Sequence, residues 1–171
     1  MTNQITEADL QNALPDVESD QKLAGIVAET IIHRDKWGIP HIAAENEADL
    51  FFAQGFATAQ DRLFQMDYDR LRCLGRSSEH LGHSGLVQDK LMRRRSLQIV
   101  SKRDLDVCSP EAKAMITAYT AGVNAYIESG APLPVEYKLT GTKPEKWEDW
   151  HCILVYKVRN TAEGSFHAKL W

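Results

Sequence analysis

The chain has 171 residues, of which 43% are hydrophobic and 26% are charged, and its formal net charge is −4. This composition excludes a chain that is disordered throughout, because it holds enough apolar material for a core. The acidic balance argues against a nucleic-acid-binding protein, which normally carries a basic excess, and no apolar run is long enough to cross a membrane.

The first 22 residues are polar and acid-rich, and they predict a flexible lead-in before a domain over residues 23–171. A short helix over Glu7–Leu14, ended by Pro15, is expected inside this lead-in. With neither a basic start nor an apolar run, we expect no secretory signal. The chain is therefore expected to be cytoplasmic, or periplasmic if a signal was removed before this numbering begins.

A β-hairpin is predicted next. Residues 26–34 (IVAETIIHR) are β-branched and partly alternating, which favours a strand. Gly38 suits the turn, and residues 40–44 form the second strand. Because a lone hairpin is marginally stable in water, helices must cover it or another chain must extend its sheet.

The rest of the chain is predicted to be helical, which makes the fold mainly α with a short β-hairpin. The clearest helix begins after the N-cap Asn46 and ends before Gly75. Opposite its apolar residues the helix carries a polar row at the same spacing, which includes Asp61, Asp69 and Arg72. Gly55 inside this helix costs up to about 1 kcal/mol against alanine, so we expect another backbone to lie close to it.

Three further helical stretches follow. One or two helices are expected over residues 86–107, and another over residues 110–129, where Ser-Pro-Glu is typical of a helix start. The last helix is predicted over residues 145–171. The sequence stops inside this apparent helix and leaves the hairpin without a sheet, and both features favour a piece of a larger fold.

No catalytic motif is visible in the chain. There is no G-x-S-x-G, no H-E-x-x-H and no phosphate-binding glycine pattern. Three widely spaced cysteines and six scattered histidines do not give the spacing of a zinc site, so we expect no metal and no cofactor. Thr2 could act as an N-terminal nucleophile if Met1 were removed, but the polar stretch after it does not predict the strand that such a residue needs.

The most basic stretch is residues 93–95, three consecutive arginines. It could bind a phosphate or carboxylate. We interpret it instead as an ion-paired helix face, because Asp89, Asp104 and Asp106 lie close to it in sequence.

Five stretches together resemble the penicillin acylase and cephalosporin acylase family. They are HRDKWGIPHI (33–42), FAQGF followed by AQDRLFQM (52–66), YTAGVNAYI (119–127), LPVEY (133–137) and KPEKW (143–147). Each would be weak alone, but they follow the family's order over nearly the whole chain. The tail GSFHAKLW (164–171) is most similar to the cephalosporin (glutaryl) acylase branch.

The resemblance implies the α subunit of an αββα N-terminal-nucleophile hydrolase heterodimer. Family members are made as one precursor and cut into a smaller α chain and a larger β chain, whose N-terminal serine is the nucleophile. That serine attacks an amide carbonyl while its own α-amine takes the proton, and an oxyanion hole on the β chain stabilises the intermediate. We therefore expect no catalytic residue in this chain. The expected partners are the β chain and a small N-acyl amide such as a β-lactam.

The resemblance also places part of the acyl side-chain pocket on the last helix. The expected substrate-binding residues are Tyr156, Arg159, Asn160 and Glu163. Gly164 stands where penicillin acylases have a phenylalanine, which puts a preference for phenylacetyl groups in doubt. Arg159 could be the counter-charge for a carboxylate-bearing acyl chain such as glutaryl. The alternative is that Tyr156 and Arg159 only pack or pair within the heterodimer.

Other motif positions have structural interpretations. Trp37 and Gly38 are expected to shape the hairpin, whereas Asp61 and Arg62 are expected to be buried or interfacial polar anchors. The acidic residue that some family members use for calcium falls near Leu170, so no calcium ligand is expected from this chain.

Two alternative functions stay open. The chain could belong to an acyl-homoserine-lactone acylase, which shares the fold and the serine, or it could be a non-catalytic helical interaction module derived from the family. An α chain without its partner should expose a large apolar patch, whereas a self-sufficient module should not.

Overall fold

The structure is a computed structural model that describes residues 4–160. Helices make up most of it. The elements in chain order are helix α1 (Glu7–Asn12), strands β1 (Thr30–Arg34) and β2 (Pro40–Ala44), and helices α2 (Glu47–Leu74), α3 (Ser78–Leu81), α4 (Leu86–Arg95), α5 (Leu97–Val107), α6 (Pro110–Glu128), α7 (Val135–Thr140) and α8 (Asp149–Asn160). The predicted mainly α fold with a short β-hairpin is confirmed. Within residues 4–160, no helix is both long and apolar enough to cross a membrane.

Two predicted boundaries were wrong. β1 begins at Thr30 rather than Ile26, because the Val27 and Ala28 amides donate to the Asp49 carboxylate (3.0 and 2.9 Å) instead of to a neighbouring strand. α8 begins at Asp149 rather than Glu145. The sequence interpretation also missed the short helices α3 and α7. The end predicted for the last helix lies outside the described residues.

The described residues form two units. The first holds residues up to 64 together with residues 110–147, and the second holds residues 65–109 together with residues from 148 onward. α2 passes from one unit to the other, and its backbone departs from helical geometry at Arg62 (φ −140°, ψ 20°).

The core of the first unit depends on a close approach of α2 and α6. A Cβ added at Gly55 would overlap the Tyr119 carbonyl oxygen, and one added at Gly122 would overlap the Phe52 carbonyl oxygen. The backbones can approach this closely only because both positions lack a side chain. The close contact expected at Gly55 is therefore confirmed.

The residues before the hairpin are tied to the first unit by polar contacts. The Thr6 side chain and Asp9 form a capping box at the start of α1, and Asp9 pairs with Lys138. The Gln60 amide donates to the Asp16 carbonyl at 2.8 Å. The hydrogen bond from Lys138 is the main reason why the pKa of Asp9 falls to about 2.

The hairpin is antiparallel, with His33 opposite His41. Its turn is stabilised by the Asp35 carboxylate, which accepts hydrogen bonds from the Trp37 and Ile39 amides at 2.8 and 3.0 Å. Gly38 adopts a φ of +77°, as the turn requires.

Asp61 and Arg62 are both exposed in this chain, so the expectation that they are buried was wrong; an interfacial role stays a prediction. Asp61 forms an ion pair with Arg34 at 2.8 Å. The buried Asp–Arg pair lies one to two turns further along α2, between Asp67 and Arg70.

The second unit has an apolar core of side chains from α2, α4 and α8. They are Cys73, Met92, Trp150, Leu154 and Val158. Next to this core, the buried Asp89 carboxylate accepts hydrogen bonds from the Ser77 and Ser78 amides (2.7 and 2.8 Å) and from the Ser78 hydroxyl.

Asp89 and Asp104 do not pair with the basic run, so for these two acids the sequence interpretation was wrong. Asp89 binds the start of α3, and Asp104 forms an ion pair with Lys157 on α8. Arg93 donates its Nε to the Gly75 carbonyl at 2.8 Å. Closeness in sequence did not determine the partners of Asp89 and Asp104. The packing of the helices brought other donors to these two carboxylates.

Replacing Gly55 by alanine should lower the free energy of unfolding by about 2–3 kcal/mol. The methyl group would meet a backbone oxygen that cannot move aside, which outweighs a gain of about 1 kcal/mol in helix propensity. Urea unfolding followed by circular dichroism measures the change. Ala121→Ser, on the exposed side of α6 next to Gly122, is the control and should cost about 0.5 kcal/mol. Equal stability of Gly55→Ala and wild type would contradict the close contact.

Replacing Asp89 by asparagine should destabilise the protein by about 2 kcal/mol at pH 7, because an amide matches three donors less well than a carboxylate. Burial raises the pKa of Asp89, but hydrogen bonds from Ser78 and Ser77 outweigh it and hold the pKa below its usual value. Since the folded-state pKa is lowered, the contribution is present above about pH 4 and is lost as the pH falls further.

Unfolding curves between pH 3 and 7 check this prediction. The gap between wild type and Asp89→Asn should narrow at the acidic end, whereas the exposed-site control Asp20→Asn should match wild type throughout. A gap that does not change with pH would show that the carboxylate charge is not what stabilises this contact.

Candidate functional site

Three of the four predicted substrate-binding residues lie together on α8. Tyr156 is 70% exposed, and Arg159 and Asn160 are also exposed. The Asn160 side chain donates its Nδ2 to the Tyr156 carbonyl at 3.0 Å. Glu163 lies outside the described residues. The structure therefore places Tyr156, Arg159 and Asn160 on the solvent-exposed side of one helix.

The apolar pattern of α8 explains why these side chains face outward. Trp150, Leu154 and Val158 recur every four residues and are buried in the core of the second unit. Residues with this spacing share one face of a helix, so Tyr156 and Asn160 fall on the opposite face.

Arg159 belongs to a group of three charged residues, which we call the arginine cluster: Asp69, Arg72 and Arg159. The Asp69 Oδ2 atom accepts a hydrogen bond from Arg159 Nη2, and its Oδ1 atom lies 3.2 Å from Arg72 Nη2. The Asp69 side chain is only 9% exposed, whereas that of Arg159 is 44% exposed. Two guanidinium groups around one carboxylate leave a net charge of +1 on the cluster.

The sequence interpretation missed this cluster. It placed Asp69 and Arg72 in one polar row of α2 and gave no sign that Asp69 is buried. The spacing of Asp69 and Arg72 could have indicated a pair on one helix face. Arg159 lies 90 residues further along the chain, so no local pattern could have joined it to them.

Cys73 lies beside the arginine cluster and is 3% exposed. Burial raises the pKa of its thiol to about 12, although the charges of Arg72 and Arg159 oppose the shift. A thiol that stays protonated is a poor nucleophile, so Cys73 is a core residue rather than a catalytic one. Within residues 4–160, no group of three or more His, Cys, Asp or Glu side chains is arranged to hold a metal ion.

Comparison with known proteins gives a family match. The family described as penicillin amidase matches residues 29–170. This chain belongs to the penicillin amidase family. The resemblance seen in the sequence motifs is thereby confirmed.

Relatives within the penicillin amidase family include acylases of two kinds. The chain is 48% identical over 162 residues to the penicillin acylase 2 proenzyme of Pseudomonas sp. (strain SE83), which covers 95% of this chain and 21% of that protein. It is 32% identical over 134 residues to penicillin G acylase of Escherichia coli (75% and 16%). It is also 32% identical over 156 residues to the acyl-homoserine lactone acylase QuiP of Pseudomonas fluorescens (strain Pf0-1; 91% and 19%). The chain thus spans about a fifth of the length of these relatives.

A solved structure shows the same fold. A chain of the thermostable penicillin G acylase from Alcaligenes faecalis superimposes with a TM-score of 0.71 and 26% sequence identity. The match covers 82% of this chain and 77% of the other, so the two chains are similar in length.

The reactivity of the Cys73 thiol tests whether the protein interior beside the arginine cluster is shielded from solvent. In the folded protein at pH 8, Cys73 should react with a maleimide or disulfide reagent at least about 100-fold more slowly than in urea, because it is both protonated and shielded. Reaction rates resolved by peptide mass spectrometry measure this. Cys108, which is half-buried, serves as the internal comparison and should be labelled in the folded state. Rapid labelling of Cys73 without denaturant would contradict its burial.

Proposed function

We propose that this chain is the α subunit of an N-acyl amide hydrolase of the cephalosporin or penicillin acylase type, with residues 23–171 as its acylase domain. The supporting observation is the 48% identity, over 95% of the chain, to a penicillin acylase 2 proenzyme that is about five times as long. A proenzyme is a precursor, so a matching segment within it fits a subunit that is released by cleavage.

In the proposed reaction the chemistry belongs to the partner, the β chain of the same precursor. Its N-terminal serine attacks the amide carbonyl, the α-amine of that serine takes the proton, and the amine product leaves. Water then attacks the acyl-enzyme and releases the carboxylic acid. Oxyanion-hole donors on the β chain stabilise the charge on the tetrahedral intermediates.

The part proposed for this chain is to complete the acyl side-chain pocket. Tyr156, Arg159, Asn160 and Glu163 are the residues that we assign to it. The exposed, adjacent positions of the first three on α8 support this assignment. A phenol hydroxyl and a carboxamide beside a guanidinium suit a polar or carboxylate-bearing acyl chain better than an aromatic one.

The hairpin region supports the presence of a partner chain. Large apolar side chains there are exposed to water: Val27 (87%), Ile31 (56%), Trp37 (77%) and Ile39 (54%). Several large apolar side chains exposed in one short region fit a surface that another chain covers. In the described part of the chain the sheet has two strands, so each strand leaves one edge unpaired. These features disfavour the self-sufficient interaction module.

An acyl-homoserine lactone is the second candidate substrate. The supporting observation is the 32% identity over 91% of the chain to the acylase QuiP. Its hydrolysis would use the same bond chemistry, since the scissile group is again an amide. The two candidates differ in the amine that is released and in the acyl chain that the pocket accepts.

Co-expression with the β chain tests the proposed function. Residues 1–171 alone should fold at low concentration but aggregate at high concentration and show no activity, whereas the co-expressed pair should purify as a heterodimer that hydrolyses N-acyl amides. The assay measures the free amine from a carboxylate-bearing acyl β-lactam, from a phenylacetyl β-lactam and from an acyl-homoserine lactone. The control is the same pair with alanine in place of the β-chain serine, which should be inactive.

Two results would contradict the proposal. One is a stable, cooperatively folding monomer of residues 1–171 that does not bind the β chain. The other is a soluble heterodimer that hydrolyses none of the three amides. Preferential hydrolysis of the homoserine lactone would favour the second candidate.

A further inference from the structure

Arg159 is the only cation among the proposed pocket residues, and a neighbouring carboxylate weakens its attraction for an anionic ligand. Arg159 donates from Nη2 to Asp69, whose carboxylate lies between two guanidinium groups. The Arg159 side chain is 44% exposed, so part of it is accessible from solvent. An anion that approaches this exposed part meets the attraction of Arg159 and the repulsion of Asp69 together.

The position of Asp69 makes its charge effective at short range. Its side chain is 9% exposed, and charges removed from water are screened less than charges on the surface. The cluster therefore presents a net charge of +1, shared between Arg72 and Arg159, rather than the +2 of the arginines alone.

We propose that Asp69 is a specificity-determining residue: by partly neutralising Arg159, it limits the preference of the enzyme for acyl chains that end in a carboxylate. This inference rests on the proposed function, because it concerns the acyl pocket to which Arg159 is assigned. Asp69 acts through Arg159 and is not itself a catalytic residue.

Contacts other than the arginine cluster also hold α8 in place, so the charge effect of Asp69 can be distinguished from a loss of structure. The helix is held by the buried side chains of Trp150, Leu154 and Val158. A second ion pair, between Lys157 and Asp104, joins the same helix to α5. Asp104→Asn is thus a matched control, because it removes one negative charge from α5 and one ion pair that holds α8, but leaves the arginine cluster intact.

The test uses the assembled enzyme of α and β chains and two substrates with the same amine. One acyl chain ends in a carboxylate, and the other has the same length and an uncharged end. The quantity measured is the ratio of kcat/KM for the acidic substrate to that for the neutral one. General damage to the fold lowers both values, whereas a change of charge in the pocket changes their ratio.

Asp69→Asn should raise this ratio by about 5- to 10-fold, mainly through a lower KM for the acidic substrate, because the cluster gains one unit of positive charge. The asparagine oxygen can still accept a hydrogen bond from a guanidinium, so the arginines keep one anchor. The gain should shrink at high salt. Asp69→Glu, which keeps the charge, and Asp104→Asn should both leave the ratio at the wild-type value.

Arg159→Gln provides a second, independent variant at an exposed position. It should lower the ratio in the wild-type background, and it should abolish the effect of Asp69→Asn in the double variant. If Asp69→Asn does not fold, the ratio for Arg159→Gln alone decides the inference, and an unchanged ratio overturns it.

The inference is also overturned if Asp69→Asn leaves the ratio unchanged or lowers it, or if Asp104→Asn raises it equally. Failure of the proposed function gives a different result. If the proposed function is wrong, the wild-type heterodimer hydrolyses neither substrate. If only the inference about Asp69 is wrong, the wild-type heterodimer still hydrolyses the substrates.

Discussion

A buried carboxylate is stable only when hydrogen-bond donors or cations surround it, and this requirement organises much of the structure. Asp49, Asp67, Asp69 and Asp89 are all buried. The backbone amides before β1 bind Asp49, and those at the start of α3 bind Asp89, so each carboxylate binds backbone amides that have no partner within a helix or strand. The other two are met by arginines. Without these donors, each aspartate would have to leave the interior or take up a proton.

The same requirement changes the meaning of Arg159. From the sequence, this residue is a cation that could bind an acyl carboxylate or could pair within a heterodimer. The structure shows that its partner lies within this chain, since Asp69 binds it. Pairing does not remove Arg159 from the proposed pocket, because its side chain is nearly half exposed. The pairing with Asp69 reduces the positive charge that Arg159 presents to a ligand. In the proposed pocket, selectivity then depends on Asp69, a residue of α2.

The two surfaces that matter for the proposed function have different physical characters. The exposed side of α8 carries polar and charged groups, which suit a small polar ligand. The hairpin carries exposed apolar groups and unpaired strand edges, which suit a large protein surface. This contrast supports one chain with two tasks, association with a larger partner and completion of its acyl pocket.

The sequence by itself determined the features that depend on local periodicity and on single residues with special backbone properties. The hairpin, the extent of α2, the close contact at Gly55 and the family membership could all be read from residue spacing and motifs. Only the tertiary structure decided which charged side chains are buried and which partners they have. Asp69 and Arg72 looked like members of one polar row on α2, and Asp89 and Asp104 looked like partners of the basic run. Arg159 and Lys157, which pair with Asp69 and Asp104, lie far from them in the chain. These pairs depend on how the helices pack, and sequence spacing carries no record of that packing.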